Sequence, residues 1–473
     1  MALGKRSSER QVLIWIAVSE IAQSPGSPFY ARLNAVLAET GFDRWVQDRC
    51  ASFYADNCGR PGIPPGVYFR MLMIGYLEGL GSERGIAWRC ADSLSLREFL
   101  GYDLTQRTPD HSTLSVIRGR IDVQTHQEVF GWILQRLAEH GLLKGETIGI
   151  DATTLEANAA LRSLVRRDTG EEYNKFLEQL ARESGIQTPT REDLARLDRK
   201  RKNKASNEDW MNPHDPDAKI TKMKDGATHL AHKAEHAVDM DTGAIVAVMV
   251  QPGDRGDTDS IGETLCEVMM NLDELNDAAS CEPSGTETTP YEMKYEMKEV
   301  VTDKGYHSNA VMRDLEEMAL RSYASEPNRG RRKWKGKREE REAVYANRRR
   351  IRGVRGKRLL RQRGELLERP FAHCYETGGM RRTHLRGHEN ILKRLLIHAG
   401  TCNLGLLMRR LIGVGPPRGF ADRAAELRAA LIAAIDHLKR LLAAWIAPRQ
   451  PTLFHTERQP GRLLARFKIQ RAA

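Results

Sequence analysis

The 473-residue chain has 74 lysines and arginines against 63 acidic residues, and its net charge of +11 favours a polyanionic partner. Its seven cysteines are scattered, odd in number and without a C-x-x-C pair, which argues against a disulfide framework and a zinc knuckle and predicts a reducing cytoplasm. No apolar run reaches the roughly 20 residues that a bilayer crossing requires, so we expect no membrane partner.

One segment holds the whole positive surplus. Between Arg329 and Arg363 the sequence has seventeen Lys or Arg and three Glu, a net charge of +14, which leaves −3 for all other residues. Such a run is often only a solvated linker. This one lies between two of the acids described below, which favours contact with a nucleic-acid backbone. The residues expected to bind DNA are Arg331, Arg332, Lys333, Arg348, Arg349, Arg350, Arg352 and Arg369.

Residues 1–141 are predicted to form a helical N-terminal domain. An apolar helix is expected over Val67–Leu80, a second over Ser82–Asp92, and an amphipathic helix over Val123–His140 with Gly141 after its end. This pattern suits a DNA-binding or assembly module, and a purely structural role is equally compatible with it.

From residue 146 the hydrophobic period changes to that of strands, which predicts a mixed α/β domain over 142–415. Its expected elements are a strand over Thr147–Asp151, strands over His229–Asp239 and Ala244–Gln251 joined by a hairpin at Asp241-Thr242-Gly243, a helix over Asp259–Leu275, and a strand over Glu299–Asp303.

Charged insertions near 162–224 and 320–366 interrupt this domain, and an acidic loop is expected over Asn276–Pro290. After the insertions, Ile391–Leu411 is predicted to form an apolar-faced helix. Residues 416–473 are expected to form a C-terminal amphipathic helix and a basic tail.

Two of the predicted strands end in an acid, Asp151 and Asp303, and a third acid, Glu368, is predicted to open a helix whose first turn contains Pro370. Two strand-borne carboxylates and one helix-borne carboxylate are what a phosphodiester-cleaving enzyme needs to hold two divalent cations. Each acid alone could be only a helix cap or a turn residue. By composition, Glu365, Glu376 and Glu389 compete with Glu368.

Three stretches that contain these acids resemble the motifs of the DDE transposases of bacterial insertion sequences, in the branch whose second motif reads D-x-G-Y. They are Gly149–Arg167 (GIDATTLEANAALRSLVRR), Thr302–Ser308 (TDKGYHS) and Glu365–Gly379 (ELLERPFAHCYETGG). Arg60–Ile121 resembles the helical N-terminal domain that these transposases carry. The resemblance covers roughly residues 30–415, with the motifs in the family's order.

The resemblance implies a ribonuclease H-like catalytic core in which Asp151, Asp303 and Glu368 are the catalytic residues and bind two Mg²⁺ ions, or Mn²⁺. It also implies metal-dependent cleavage at the ends of the element and transfer of a 3′-hydroxyl into target DNA, without ATP. The implied partners are double-stranded DNA (terminal inverted repeats and target) and further copies of the chain, as a homodimer or larger assembly. The implied location is the bacterial cytoplasm, with the nucleoid.

The sequence departs from the family at one point. Many relatives have a Tyr-x2-Arg-x3-Glu-x6-Lys pattern around the third acid, and the corresponding positions here are Arg361, Gly364 and Tyr375. The roles of that tyrosine, arginine and lysine are therefore not assigned. Two alternatives remain open at this level: a ribonuclease H-like nuclease without strand transfer, and a non-catalytic DNA-binding protein derived from a transposase.

Overall fold

The computed structural model describes residues 26–55, 62–201, 205–223, 226–280, 294–328, 330, 332–417 and 419. All of the described residues belong to one compact unit. The predicted C-terminal helix and basic tail lie outside the described residues. Within the described ranges, no helix combines the length and hydrophobicity that a bilayer crossing requires.

The first part of the described chain is helical, as the sequence predicts. Its helices are α1 (Pro28–Glu39), α2 (Phe42–Cys50), α3 (Pro65–Leu77), α4 (Glu83–Asp92), α5 (Leu94–Phe99), α6 (His111–Arg120) and α7 (Val123–Glu139). The side chains of Ser82, Asp110 and Asp122 accept hydrogen bonds from backbone N–H groups in the first turns of α4, α6 and α7. These caps explain where the three helices begin.

The strands begin after α7. They are β1 (Thr147–Glu156), β2 (Val165–Arg166), β3 (Trp210–Met211), β4 (Lys219–Lys222), β5 (Thr228–Asp239), β6 (Ile245–Pro252), β7 (Glu299–Thr302) and β8 (Arg321–Ala324). The helices among and after them are α8 (Tyr173–Glu183), α9 (Arg191–Lys200), α10 (Asp257–Ser280), α11 (Asn309–Glu317), α12 (Arg338–Arg352), α13 (Val354–Phe371) and α14 (His388–Ile412).

Six of these strands form one mixed sheet with β1 near its centre. On one side of β1, β5 pairs with it in antiparallel fashion, and β6 and β4 each pair antiparallel with β5. On the other side, β7 pairs with β1 in parallel, and β8 pairs in parallel with β7. The β5–β6 hairpin turns at the predicted residues, with Gly243 at a φ of +79°. The predicted mixed α/β class is confirmed.

Alternate side chains of β5 point to opposite faces of the sheet, and a different helix covers each face. On one face Glu235 accepts hydrogen bonds from α10, and on the other His236 stacks on Phe371 of α13. Gly149 lets α13 approach β1, because a Cβ there would lie 2.7 Å from the Leu367 side chain. The sheet is therefore enclosed by α10 and α13.

The N-terminal helices share a core with the rest of the unit, because α3 and α7 pack against α14. A Cβ at Gly75 of α3 would collide with the Arg394 guanidinium of α14. Arg394 donates a hydrogen bond to the Leu80 carbonyl at 2.9 Å, and burial lowers its pKa to about 10. The boundary at residue 141 stays a prediction.

The first charged insertion is more ordered than its composition suggests. It contains α8 and α9, and a small second core forms around Trp210, Leu164 and Ala218. The expected loop over 276–290 also differs in part, because α10 continues through Ser280; residues 281–290 lie outside the described residues. Asn276, just beyond the predicted end, is buried and exchanges two hydrogen bonds with the Tyr295 backbone, which holds the chain in the helix at this point.

Two placements of the acids are corrected. Asp151 does not end its strand: β1 continues to Glu156, because β5 pairs with it as far as Glu156↔Ala231. Glu368 does not open a helix: it lies in the last turn of α13, and Pro370 is inside that turn. Helix α13 continues this far because its buried residues, from Gly356 to Pro370, extend along most of its length. A π-helical segment, Ala372–Thr377, follows it.

Candidate active site

Asp151 and Asp303 occupy equivalent positions on two adjacent parallel strands. The last pair in the register of β1 with β7 is Ile150 with Thr302, and in both segments the next residue is an aspartate. Paired strands lie about 4.8 Å apart, so the two backbones are close at this point. We call Asp151 and Asp303 the aspartate pair. The sequence singled out both acids, although it could not show that their strands are neighbours.

The backbone turns sharply at Asp303. Its Oδ1 accepts a hydrogen bond from the Gly305 N–H at 2.7 Å and caps the 3₁₀ turn Lys304–Tyr306. A Cβ at Gly305 would lie 3.0 Å from this oxygen and would collide with the Asp257 carboxylate at the start of α10. A larger residue would therefore displace the Asp257 carboxylate, which borders the aspartate pair.

The carboxylate of Asp151 is partly satisfied. Its Oδ1 accepts a hydrogen bond from the Ala152 N–H at 2.8 Å, and its Oδ2 accepts one from Arg363 Nη1 at 3.0 Å. Burial raises the pKa of Asp151; the Ala152 N–H and the Arg363 cation oppose this shift, and the negative charge of Asp303 adds to it. This like-charge effect follows from the closeness of the two carboxylates.

Glu368 lies on α13 beside the same region of the sheet. His236 is the antiparallel partner of Asp151, and Phe371 stacks on the His236 ring with the ring centroids 4.7 Å apart. Glu368 precedes Phe371 by three residues, so the two lie on neighbouring positions of one side of the helix. The Glu368 side chain is exposed.

The structure brings Asp151 and Asp303 together but does not close a three-ligand group around them. Among the described residues, no group of three or more His, Cys, Asp or Glu side chains is arranged to hold a metal ion. The competing acids all have cationic partners: Glu365 pairs with Arg369, Glu376 with Arg381, and Glu389 with Lys393.

On the opposite face of the sheet lies a buried polar cluster that the sequence analysis missed. Glu235 accepts hydrogen bonds from Ser260 at 2.9 Å, from Tyr306 at 2.6 Å and from Thr264. Lys233 lies 3.5 Å from Glu235 and 2.6 Å from Asp257. We call Lys233, Glu235, Ser260, Thr264 and Tyr306 the Glu235 cluster. Two residues of opposite charge, Lys233 and Glu235, at alternate positions of one strand were the available signal.

The basic residues predicted to bind DNA divide into two groups; Arg331 lies outside the described residues. Arg332 and Arg348 both pair with Glu326, and Arg350 donates to the Ser322 carbonyl at 3.0 Å, so these three hold the chain around α12 against β8. The exposed group is Lys333, Arg349, Arg352 and Arg369, of which Arg369 pairs with Glu365.

The comparisons with known proteins bear on the helical region. The family model described as Transposase domain (DUF772) matches residues 19–120, which include α1–α6 and none of the three acids. No curated protein and no solved structure matches the chain. The family match indicates a transposase; the type of transposase depends on the chemistry of the sheet.

Proposed function

We propose that the protein is a DDE transposase that cleaves DNA at the ends of an insertion sequence and joins the freed 3′-hydroxyl to target DNA. The observation that carries the proposal is the aspartate pair, at equivalent positions on adjacent parallel strands. Glu368 is the proposed third acid, because of the motif order and its position three residues before Phe371.

The strand arrangement supports a ribonuclease H-like core. The central strand β1 has the antiparallel hairpin β5–β6 on one side and the parallel strands β7 and β8 on the other. The first acid lies on the central strand, and the second follows the adjacent parallel strand. The family match at residues 19–120 supports the transposase assignment from a separate part of the chain.

The residues at the aspartate pair suit a hard divalent cation. Asp151 and Asp303 offer carboxylate oxygens, which Mg²⁺ and Mn²⁺ prefer, and a cation would relieve the repulsion that helps to raise the pKa of Asp151. Asp151, Asp303 and Glu368 would hold the metal. When bound, Mg²⁺ would supply activation of the attacking hydroxyl and stabilisation of the leaving oxygen.

The remaining residues would bind and orient DNA. Lys333, Arg349 and Arg352 are exposed on or beside α12 and would bind phosphates through charge. The helices within the family match would hold the terminal inverted repeat. We propose that two or more copies of the chain act on paired ends in the bacterial cytoplasm.

The test is cleavage of a plasmid that carries the element ends. Asp151→Asn, Asp303→Asn and Glu368→Gln should each lower cleavage by roughly 10³-fold or more while DNA binding persists, because each removes a proposed metal ligand. Glu365→Gln is the matched control for the third acid, since Glu365 lies one turn earlier and pairs with Arg369. Loss of cleavage in Glu365→Gln with full cleavage in Glu368→Gln would transfer the role to Glu365.

The same protein separates the alternatives. A pre-cut end that bears a 3′-hydroxyl, mixed with a target plasmid and Mg²⁺, should yield a joined product. A nuclease would cut the element end without joining it. A non-catalytic DNA-binding protein would bind the end and do neither, with or without Mg²⁺ or Mn²⁺.

A further inference from the structure

Arg363 directly contacts the acid at the centre of the candidate site. Its Nη1 lies 3.0 Å from Asp151 Oδ2, and about a quarter of each side chain is exposed to solvent. The contact therefore joins two groups at the edge of the core, where water, a cation or an anion could replace either partner. In the sequence, Arg363 is only the last residue of the basic segment.

The backbone of α13 is fixed around Arg363. Leu359 and Leu367, four residues before and four residues after it, are buried on the same side of the helix. Leu367 packs against Gly149, two residues before Asp151. Because these contacts hold the helix to β1, only the long side chain of Arg363 can change its position without displacing the sheet.

Neighbouring arginines have other environments. Arg355 pairs with Glu299 at the start of β7, and Arg361 is exposed on another side of α13. Within the described residues, Arg363 is the one guanidinium that pairs with the aspartate pair. Its planar fork also matches two oxygens of a DNA phosphate.

These contacts make Asp151 Oδ2 a shared position. A divalent cation has twice the charge of a guanidinium and would bind the same carboxylate, so the two compete for it. We propose that Arg363 is a phosphate-binding residue of the site that rests on Asp151 in the free protein, and that it exchanges Asp151 for a DNA phosphate when the divalent cation and DNA bind. This inference rests on the proposed function.

The first test measures Mn²⁺ binding to the full chain without DNA, by the electron paramagnetic resonance signal of free Mn²⁺. Arg363→Gln should bind Mn²⁺ roughly fivefold more tightly than wild type, which is the range of a partly exposed ion pair. Arg361→Gln removes the same charge from the same helix without the Asp151 contact, and it should bind Mn²⁺ nearly as wild type does. Equal affinities in the two variants would overturn the inference.

The second test measures how far DNA tightens Mn²⁺ binding, with a duplex of the element end that lacks a 3′-hydroxyl. In wild type and Arg361→Gln, DNA should draw Arg363 away from Asp151 and tighten Mn²⁺ binding. In Arg363→Gln this factor should be roughly fivefold smaller, because Asp151 is already free. An unchanged factor would overturn the exchange.

Two further variants keep the result interpretable. Arg363→Lys retains the charge without the planar fork, so its Mn²⁺ affinity should stay close to that of wild type while the effect of DNA declines. Asp151→Asn should abolish Mn²⁺ binding, both alone and when combined with any of the arginine variants. Equal Mn²⁺ binding by wild type and Asp151→Asn would contradict the proposed metal site itself. If Asp151→Asn loses Mn²⁺ binding but Arg363→Gln behaves like Arg361→Gln, the metal site stands and only the exchange is contradicted.

Discussion

The two faces of the central sheet hold acids in opposite states. Glu235 faces α10, is fully buried, and accepts hydrogen bonds from three hydroxyl groups beside Lys233. Asp151 faces α13, keeps about a quarter of its side chain exposed, and has one guanidinium partner. The two acids lie on neighbouring strands, because the partner of Glu235 in the register is Ala152.

The difference separates a structural acid from an acid that is available for chemistry. A buried carboxylate that already accepts three hydrogen bonds holds its partners in place and is closed to a ligand. Asp151 has partners that a cation could replace, and burial beside Asp303 disfavours its charge. We infer that the Glu235 cluster supports the sheet, whereas the aspartate pair is available for the proposed divalent cation.

The largest expected effect on stability comes from removing Glu235. Glu235→Ala should lower the free energy of unfolding by about 3–5 kcal/mol, because it removes the carboxylate acceptor of three buried hydroxyl groups and one of the two carboxylates beside the buried Lys233. Asp151→Ala should cost less than about 1 kcal/mol, since it removes only a partly exposed pair. Urea denaturation of both variants measures the difference; similar losses would contradict the comparison.

Next comes a buried histidine in the helical region. His126 Nδ1 lies 2.7 Å from the Asp122 carbonyl oxygen and Nε2 lies 3.0 Å from the Tyr68 hydroxyl, and burial lowers its pKa to about 4. In the unfolded chain His126 binds a proton near pH 6.5, whereas in the folded chain it becomes protonated only near pH 4. Stability should therefore fall as the pH drops through this window, by about 3 kcal/mol from this group.

His126→Gln is the variant that checks this pH effect. Its free energy of unfolding should be lower than that of wild type at pH 7, because the packing is poorer, but should fall less steeply between pH 6.5 and 4. Urea denaturation across that range gives both slopes. Parallel slopes would show that His126 does not titrate as its burial requires.

The smallest expected effects on stability concern the basic residues, which also divide into a structural group and a group available to a ligand. Replacing Arg348 and Arg350 together with Gln should cost about 1–2 kcal/mol of stability, because both side chains bind β8 or the residues after it. Replacing Lys333 and Arg349 should leave stability within about 0.5 kcal/mol. It should also reduce the slope of log affinity against log salt by about 2, if each residue contacts a phosphate.

Thermal unfolding and DNA-binding titrations at several salt concentrations measure both properties of the two double variants. An unchanged salt slope after replacement of Lys333 and Arg349 would mean that these two residues are solvated and do not contact DNA phosphates. A salt slope that falls most for Arg348 and Arg350 would mean that DNA competes with Glu326 for these side chains.

Much of the fold was predictable because local signals agreed with it. The helical period before residue 141 and the hairpin turn at Asp241-Thr242-Gly243 indicated elements that the structure retains. The predictions failed where a distant partner decided the outcome. Pairing with β5 extends β1 beyond Asp151, and the buried side of α13 carries that helix through Glu368.

The candidate site shows the same division. Asp151, Asp303 and Glu368 were selected as acids beside strands and a proline, which are properties of short stretches of sequence. The contact of Arg363 with Asp151 joins residues 212 positions apart, and that of Tyr306 with Glu235 joins residues 71 positions apart. No local pattern indicates such contacts, because they depend on how α13 and the turn after β7 meet the sheet.

The sequence by itself determined the helical and strand-forming segments, the concentration of positive charge, and which acids could serve a phosphodiester-cleaving site, since periodicity, capping and composition act over a few residues. Only the tertiary structure decided which acid is enclosed by hydroxyl groups and which is paired with a replaceable guanidinium. The reason is physical: burial and hydrogen bonding depend on what packs nearby, and for Glu235 and Asp151 those neighbours come from distant parts of the chain.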